Sequence, residues 1–487
     1  MKITITRDAW TDEPLDLLIV AGNLQDATVR SRLSGAEDAL WDALLQERGL
    51  EECGWTRLLY GWPGTRAHRV LLVSATGCTG RYDRLRKNVL VALRGLKVRH
   101  LSRVGLACLN AESGDDWQVL IEAVHLATED LGSMKTQEPD ALVIEEVFLF
   151  SSEISRDMCE RVAWTMEGVN LARRLTNLPG NRTSPRELAE IARQVAQDGG
   201  LECVIWDEAA LARDGFGAVL AVGGGSPRPP RLVSLTYRGD PERPERIACL
   251  IGKGIVFDAG GISLKPAQSM EEMKADKAGA CAVLGAMHIV GRLKPRCNVA
   301  ALVPLAENLP DGRAQRPGDV IRTYSGRTVE VINTDAEGRL LLADVLGYAD
   351  AVLKPSWIAD LATLTGACVV ALGHVRAGYF ANRESLASAV ETAASKARER
   401  IWRLPLDVDY FEELKSPIAD VRNVGSRWGG AVTAAKFLEF FAGERPWCHI
   451  DMAGMDMFDD KRQELGPSGF GTLTLVHLVE RFAEEDF

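Results

Sequence analysis

A chain of 487 residues exceeds the roughly 250–300 at which a single hydrophobic core stops growing, so two domains are expected. With 46% hydrophobic and 26% charged residues and a mean hydropathy of −0.05, the composition excludes a disordered chain and supplies ample core. A formal net charge of −11 argues against a dedicated polyanion binder, although Arg84-Leu85-Arg86-Lys87 and Arg94 to Arg99 form local basic runs. Ten cysteines are scattered singly, without a C-x-x-C pair, which predicts reduced thiols in a cytoplasmic protein. The first residues alternate like a strand and carry no signal-peptide core. No apolar run reaches the roughly 18 residues of a membrane span.

Residues 1–150 read as a small α/β domain. Leu15 to Ala21, Val70 to Val73 and Val104 to Cys108 are apolar strands, and Tyr82 to Leu96 and Trp117 to Leu131 are helices. Gly77-Cys78-Thr79-Gly80 is a turn. A helix from Ser155 to Leu175 follows, with Met158, Val162, Met166 and Val169 on one stripe. It closes on Asn177-Leu178-Pro179-Gly180-Asn181, so residues 151–183 are expected to link the domains. Ser184-Pro185-Arg186-Glu187 then carries a helix-start signature of N-cap serine, first-turn proline and a glutamate three residues on.

Across 184–487 short apolar strands alternate with helices. The strands are Cys203–Trp206, Leu232–Thr236, Ile247–Ile251, Val299–Val303 and Trp357–Leu364, and a helix runs from Gly279 to Leu293. This alternation predicts a larger α/β domain with a mixed, largely parallel sheet. Gly223-Gly224-Gly225-Ser226 lacks the spacing of a phosphate loop and reads as a flexible surface loop.

Two stretches carry chemistry. In Asn333-Thr334-Asp335-Ala336-Glu337-Gly338-Arg339-Leu340, three ionisable side chains alternate. In an extended segment at a strand's carboxyl end they face one cavity. The plainer reading is a solvated charged turn. The second stretch holds Lys253, Asp258, Lys265 and Asp276 on glycine-rich backbone. Taken singly, each is a surface charge or, for Asp276, a helix cap. Together, Asp258, Asp276, Asp335 and Glu337 are four carboxylates that cannot all stay ionised side by side without cations. Two divalent ions balance them, and carboxylates suit Mn²⁺, Mg²⁺ or Zn²⁺. Such paired sites activate water and polarise carbonyls.

These residues resemble the leucyl aminopeptidase (cytosol aminopeptidase) family. The similarity lies in NTDAEGRL at 333–340, GKGIVFDAGGISLKP at 252–266 and MKADKAGA at 273–280. Further segments are 307–321, 360–373 and 423–441, and the match is dense over about 170–487. The resemblance implies that Asp258 and Glu337 bridge two metals, Mn²⁺ or Zn²⁺. Asp335 would complete one site, partly through its carbonyl, and Lys253 and Asp276 the other. It further implies that Lys265 polarises the scissile carbonyl and that Arg339 holds a bicarbonate acting as general base. Met270, Thr363, Leu364, Gly366 and Ala453 would line the pocket for the first side chain. A homohexamer that releases leucine and other apolar residues from short peptides with a free amino terminus is the implied whole. Because some family members bind DNA, a regulatory DNA-binding protein on this scaffold is the alternative. Ala275, Lys277 and Met455 depart from the residues usual in the family, which bears on the pocket and substrate preference.

Overall fold

The apolar runs of the first 150 residues become one six-stranded sheet of β1 (Lys2–Thr6), β2 (Leu17–Gly22), β3 (Thr56–Tyr60), β4 (Arg69–Ser74), β5 (His100–Leu109) and β6 (Val143–Phe150). Its order is β1-β6-β5-β2-β4-β3, and only β3 runs antiparallel to its neighbour. Helix α1 (Tyr82–Arg94) buries Leu85, Val89, Leu90 and Leu93, at the spacing of one helical face, and packs against α2 (Gly114–Thr128). The structure, a computed structural model, describes residues 1–7, 9–24, 26, 52–62, 65–75, 82–109, 114–132, 134–136, 141–151, 154–458, 465–485 and 487. The turn read at Gly77–Gly80 lies outside them. Eight of the described cysteines are free, but Cys53 is disulfide-bonded, which corrects the expectation of thiols throughout.

Chain contacts divide the molecule into Met1–Met166 and Glu167–Phe487. Helix α3 (Arg156–Asn177) runs through the division, and α4 (Pro185–Gly199) starts on the predicted capping box, with Ser184 and Glu187 each holding the other's backbone N–H.

The larger unit contains a nine-stranded sheet and a three-stranded one. The nine are β7 (Glu202–Trp206), β8 (Arg231–Arg238), β9 (Ile247–Gly252), β10 (Gly254–Asp258), β11 (Asn298–Asn308), β14 (Trp357–Ala362), β15 (Ala377–Ala381), β16 (Ile401–Arg403) and β18 (Trp447–Asp451). The three are β12 (Val320–Arg322), β13 (Thr328–Glu330) and β17 (Val421–Arg422). The large sheet runs β16-β15-β18-β14-β9-β11-β8-β7, with β10 also pairing β11. Strands β18, β14, β9 and β11 are parallel and buried, as expected of a sheet covered on both faces, while β7, β8 and β15 make antiparallel pairs. The fold is therefore two α/β units, the second with a mixed sheet that is parallel at its centre.

Between the strands come the short α5 (Glu208–Asp214) and α6 (Gly217–Gly223), then α7 (Ala278–Leu293), α8 (Gly338–Tyr348) and α9 (Gly366–Leu372). Two expectations change here. The Gly223–Ser226 stretch is packed rather than loose. Ser226 is buried with its hydroxyl donating to Glu307, and a Cβ on Gly225 would sit 2.1 Å from the Leu309 carbonyl. The charged octet follows β13, in the small sheet, and it does not stay extended. Glu337 already has helical dihedrals (φ −75°, ψ −35°), and Arg339 lies within α8. Period-two alternation therefore does not account for where Arg339 points.

Candidate metal centre and active site

The carboxyl ends of the central strands supply the site, as expected for an open α/β sheet. Lys253 follows β9, Asp258 ends β10, Asn308 ends β11, Thr363 follows β14 and Asp451 ends β18. The octet comes in from the small sheet, and Asp276 follows a 3₁₀ turn at Met270–Ala275.

Lys253 Nζ donates to Asp276 Oδ1 at 2.8 Å and to the Thr363 carbonyl at 3.0 Å, and lies 2.9 Å from Glu337 Oε1. Lys265 Nζ lies 2.8 Å from Asp258 Oδ2 and 2.6 Å from Asp335 Oδ1. Gly338 makes room for this arrangement, since a Cβ there would come within 2.6–2.8 Å of the Lys253 side chain. Asp258 Oδ1 is fixed from behind by Gly260 N and Asn308 Nδ2, each at 2.8 Å. Asn308 Nδ2 also donates to the Thr334 carbonyl, which ties the octet to the β10 end.

Four buried or half-buried carboxylates thus face two ammonium groups. Burial, reinforced by the Glu337 charge, pushes the Asp258 carboxyl up to about 6. Burial pushes Asp276 up to about 8 against the pull of Lys253. Asp335 is raised by burial despite Lys265. Burial also opposes the Glu337 anion, but Lys253 outweighs it and the pKa falls. For Lys253 burial disfavours the cation, and Asp276, Glu337 and Asp258 more than reverse that, leaving it well above its ordinary value. Negative charge remains in excess.

The donor set fits divalent cations. Oxygens of Asp258, Asp335 and Glu337 lie within 4.8 Å of one another. Asp276 Oδ2 and Glu337 Oε2 are buried without a hydrogen-bond partner, and a bound cation is one way to satisfy such acceptors. The two predicted clusters therefore meet.

Arg339 stands apart from the lysines. It is buried, its Nη1 donates to the Asn423 carbonyl at 2.7 Å, and its Nε has no partner. Burial lowers its pKa to about 10. Asn423 in turn accepts from Ile332 N and Asn333 N and donates to the Asn333 carbonyl. Of the predicted pocket residues, Thr363 donates to Asp276 Oδ1 at 2.8 Å, and the Leu364 and Ala453 amides share one Asp451 oxygen. Gly366 opens α9, and Met270 opens the 3₁₀ turn leading to Asp276. Sequence reasoning assigned no role to Asn308, Asn423 or Asp451. The one available signal was an apolar strand, Trp447–Ile450, ending in an acid just before Ala453.

Lys277 requires a correction. It does not face the pocket: its buried Nζ donates to the Thr176, Leu178 and Lys274 carbonyls, at the end of α3 and before Asp276. The basic runs are also engaged internally. Arg84 pairs with Glu52, Arg86 with the buried Glu122, and Arg94 and Arg99 donate to main-chain carbonyls.

A description of the catalytic domain of the cytosol aminopeptidase family matches residues 170–476. The chain belongs to the cytosol aminopeptidase family. It is 43% identical over 483 residues to a probable cytosol aminopeptidase of Syntrophotalea carbinolica, covering 95% of this chain and 96% of that one. It is 41% identical over 488 residues to one from Solibacter usitatus, covering 98% and 99%. Among solved structures, the bottromycin maturation enzyme BotP in complex with Mn matches with a TM-score of 0.82 at 31% identity, over 96% of this chain and 99% of that one. As a cytosol aminopeptidase, the chain is a metal-dependent hydrolase that acts on peptides, and no helix among its described residues is long and apolar enough to cross a membrane.

Proposed function

We propose that this protein releases leucine and other apolar residues from the amino terminus of short peptides, using two divalent cations, Mn²⁺ or Zn²⁺. The observation that supports it most is the four-carboxylate cluster with partnerless buried oxygens on Asp276 and Glu337. Asp258 and Glu337 would hold both cations, Asp335 would complete one site, and Asp276 the other together with Lys253, whose ammonium would have to give up its proton as the cations bind. When bound, such a pair supplies Lewis-acid activation of water and of a carbonyl.

The chain's own residues do the rest. Lys265 has a side chain 21% exposed, in reach of substrate, and its ammonium steadies negative charge developing on the scissile carbonyl oxygen. Asp258 and Asp335 keep it charged: burial disfavours the cation, yet their proximity raises its pKa. Arg339 offers its partnerless Nε to a small anion, bicarbonate, beside the cluster. A proton acceptor held there removes the need for a spare histidine. Asn423 and Asn308 hold Arg339 and Asp258 in place. The assembly is a cytoplasmic homohexamer in this reading.

Leucine-p-nitroanilide and Cys-Gly hydrolysis by protein loaded with Mn²⁺ or Zn²⁺ tests the reading, alongside metal analysis of protein purified without added metal. It predicts two ions per subunit and activity abolished by chelator. One ion per subunit in the active enzyme, or no amino-terminal cleavage, would overturn it. Light scattering tests the hexamer.

A further inference from the structure

Asp451 is buried at the end of β18, in parallel register with Ala362 at the end of β14. Beyond this pair the two strands run into the segments that carry Leu364 and Gly366 on one side and Ala453 on the other. The Asp451 carboxylate gathers both. Its Oδ1 accepts from Leu364 N (3.1 Å), Thr365 N (3.4 Å) and Ala453 N (3.2 Å), and its Oδ2 accepts from the Thr365 hydroxyl (2.7 Å). Thr365 then caps α9 by accepting from Cys368 N at 3.0 Å. Among the described residues Asp451 forms no ion pair; its charge reaches Arg339 only at longer range, and main-chain amides and one hydroxyl make its direct contacts. That arrangement serves a shape better than a charge.

The neighbouring residue strengthens the point. Thr363 is tied to the charged cluster through Asp276 and Lys253. Residues 363–365 are thus pinned at one end by the catalytic cluster and at the other by Asp451, which also holds Ala453. We propose that Asp451 is the positioning residue that sets the width of the pocket for the substrate's first side chain, with Thr365 as its relay to α9. This rests on the reading of Thr363, Leu364, Gly366 and Ala453 as that pocket. Asp451 touches no reacting atom. Its contribution lies in keeping two pocket walls at a fixed separation, which is the property that discriminates apolar side chains by size.

The experiment compares full-length, metal-loaded wild type with Asp451→Asn, Thr365→Val and the conservative Thr365→Ser. Each is assayed on the p-nitroanilides of leucine, methionine, alanine and glycine. In Asp451→Asn an amide group replaces one acceptor oxygen opposite the same donors. KM for the leucine substrate should rise about tenfold with kcat within about threefold, while alanine and glycine substrates change less than about threefold. Thr365→Val should shift the leucine-to-alanine preference the same way and Thr365→Ser should restore it. Metal content per subunit stays at the wild-type value. Equal losses on all four substrates, a fall in kcat with loss of metal, or an unchanged preference in Thr365→Val would each overturn the proposal. Should Asp451→Asn not fold, Thr365→Val and its serine rescue decide the matter. A wild type that cleaves none of the substrates would instead sink the aminopeptidase reading itself, and the proposal with it.

Discussion

The cluster around Glu337 and the site of Asp344 lie within one turn-and-helix segment, yet they bury carboxylates by opposite means. Asp344 is fully buried, and its oxygens accept from Ala218 N and Val219 N at 2.9 Å and from Tyr324 N at 2.8 Å. Both of its oxygens are satisfied by fixed backbone dipoles of the chain. Glu337 and Asp276 share the single buried Lys253 ammonium on one oxygen each, Asp276 with the Thr363 hydroxyl besides, and have no hydrogen-bond partner on the other. The first arrangement is complete without a ligand and serves architecture. The second is incomplete and serves binding, because an unpaired buried acceptor is costly until a cation arrives.

The sharpest way to break the comparison is to remove a carboxylate from the incomplete cluster. Glu337→Ala or Asp258→Ala should lower kcat/KM by about a thousandfold or more, the size expected when pre-organised charge stabilisation is lost. Circular dichroism should still show the wild-type fold. Activity within tenfold of wild type would show that the cluster is not the reaction centre.

A buried titratable group outside both regions gives the next largest effect. His125, in α2, is held down to about 4, chiefly by burial. A depressed folded-state pKa gives stability that is present above the unfolded value near 6.5 and is lost as pH falls through 4. The loss amounts to at most about 3 kcal/mol. Urea titrations at pH 7 and pH 4.5 should show His125→Phe losing less stability than wild type. A parallel loss in both proteins would mean that another group controls acid sensitivity.

Cation loading should stabilise the incomplete cluster alone. At a hundredfold excess over Kd, each ion adds about 2.7 kcal/mol, visible as a higher Tm that Asp258→Ala abolishes. Asp344→Asn probes the complete site. It leaves an amide facing backbone donors and should cost about 1–3 kcal/mol in urea unfolding. Metal content and kcat should match wild type. If that variant lost metal, the two regions would be coupled and the contrast between them would fail.

Much of this was legible in the chain because the signals are local. The capping box at Ser184–Glu187 needs four residues, and the two charged stretches needed only a count of carboxylates against cations. What was hidden depends on distance. Asp451 takes its meaning from amides 87 and 86 residues earlier, at Leu364 and Thr365. Lys277 reads as a neighbour of Asp276, but the turn just before α7 directs it toward the end of α3. The D-x-E-x-R spacing suggested an extended segment, whereas the helix begins early and carries Arg339 to Asn423 instead. Gly223–Ser226 looked loose because nothing nearby shows that Glu307 and Leu309 close over it.

The order of the strands also has a bearing on how the enzyme is made. Strand β9 lies beside β14 although Cys249 and its partner Ile358 are separated by more than a hundred residues, and β14 then waits for β18. Lys253 and Asp451 are 198 residues apart. At ribosomal speeds of roughly 5–20 residues per second, about 10–40 s pass between their syntheses. The nascent chain therefore carries all four carboxylates of the cluster before β18 exists to flank β14, and cation capture becomes a late event that reports a finished sheet. In refolding from urea, metal uptake should trail the recovery of helical signal, with the delay set by the long-range pairing of β14 and β18.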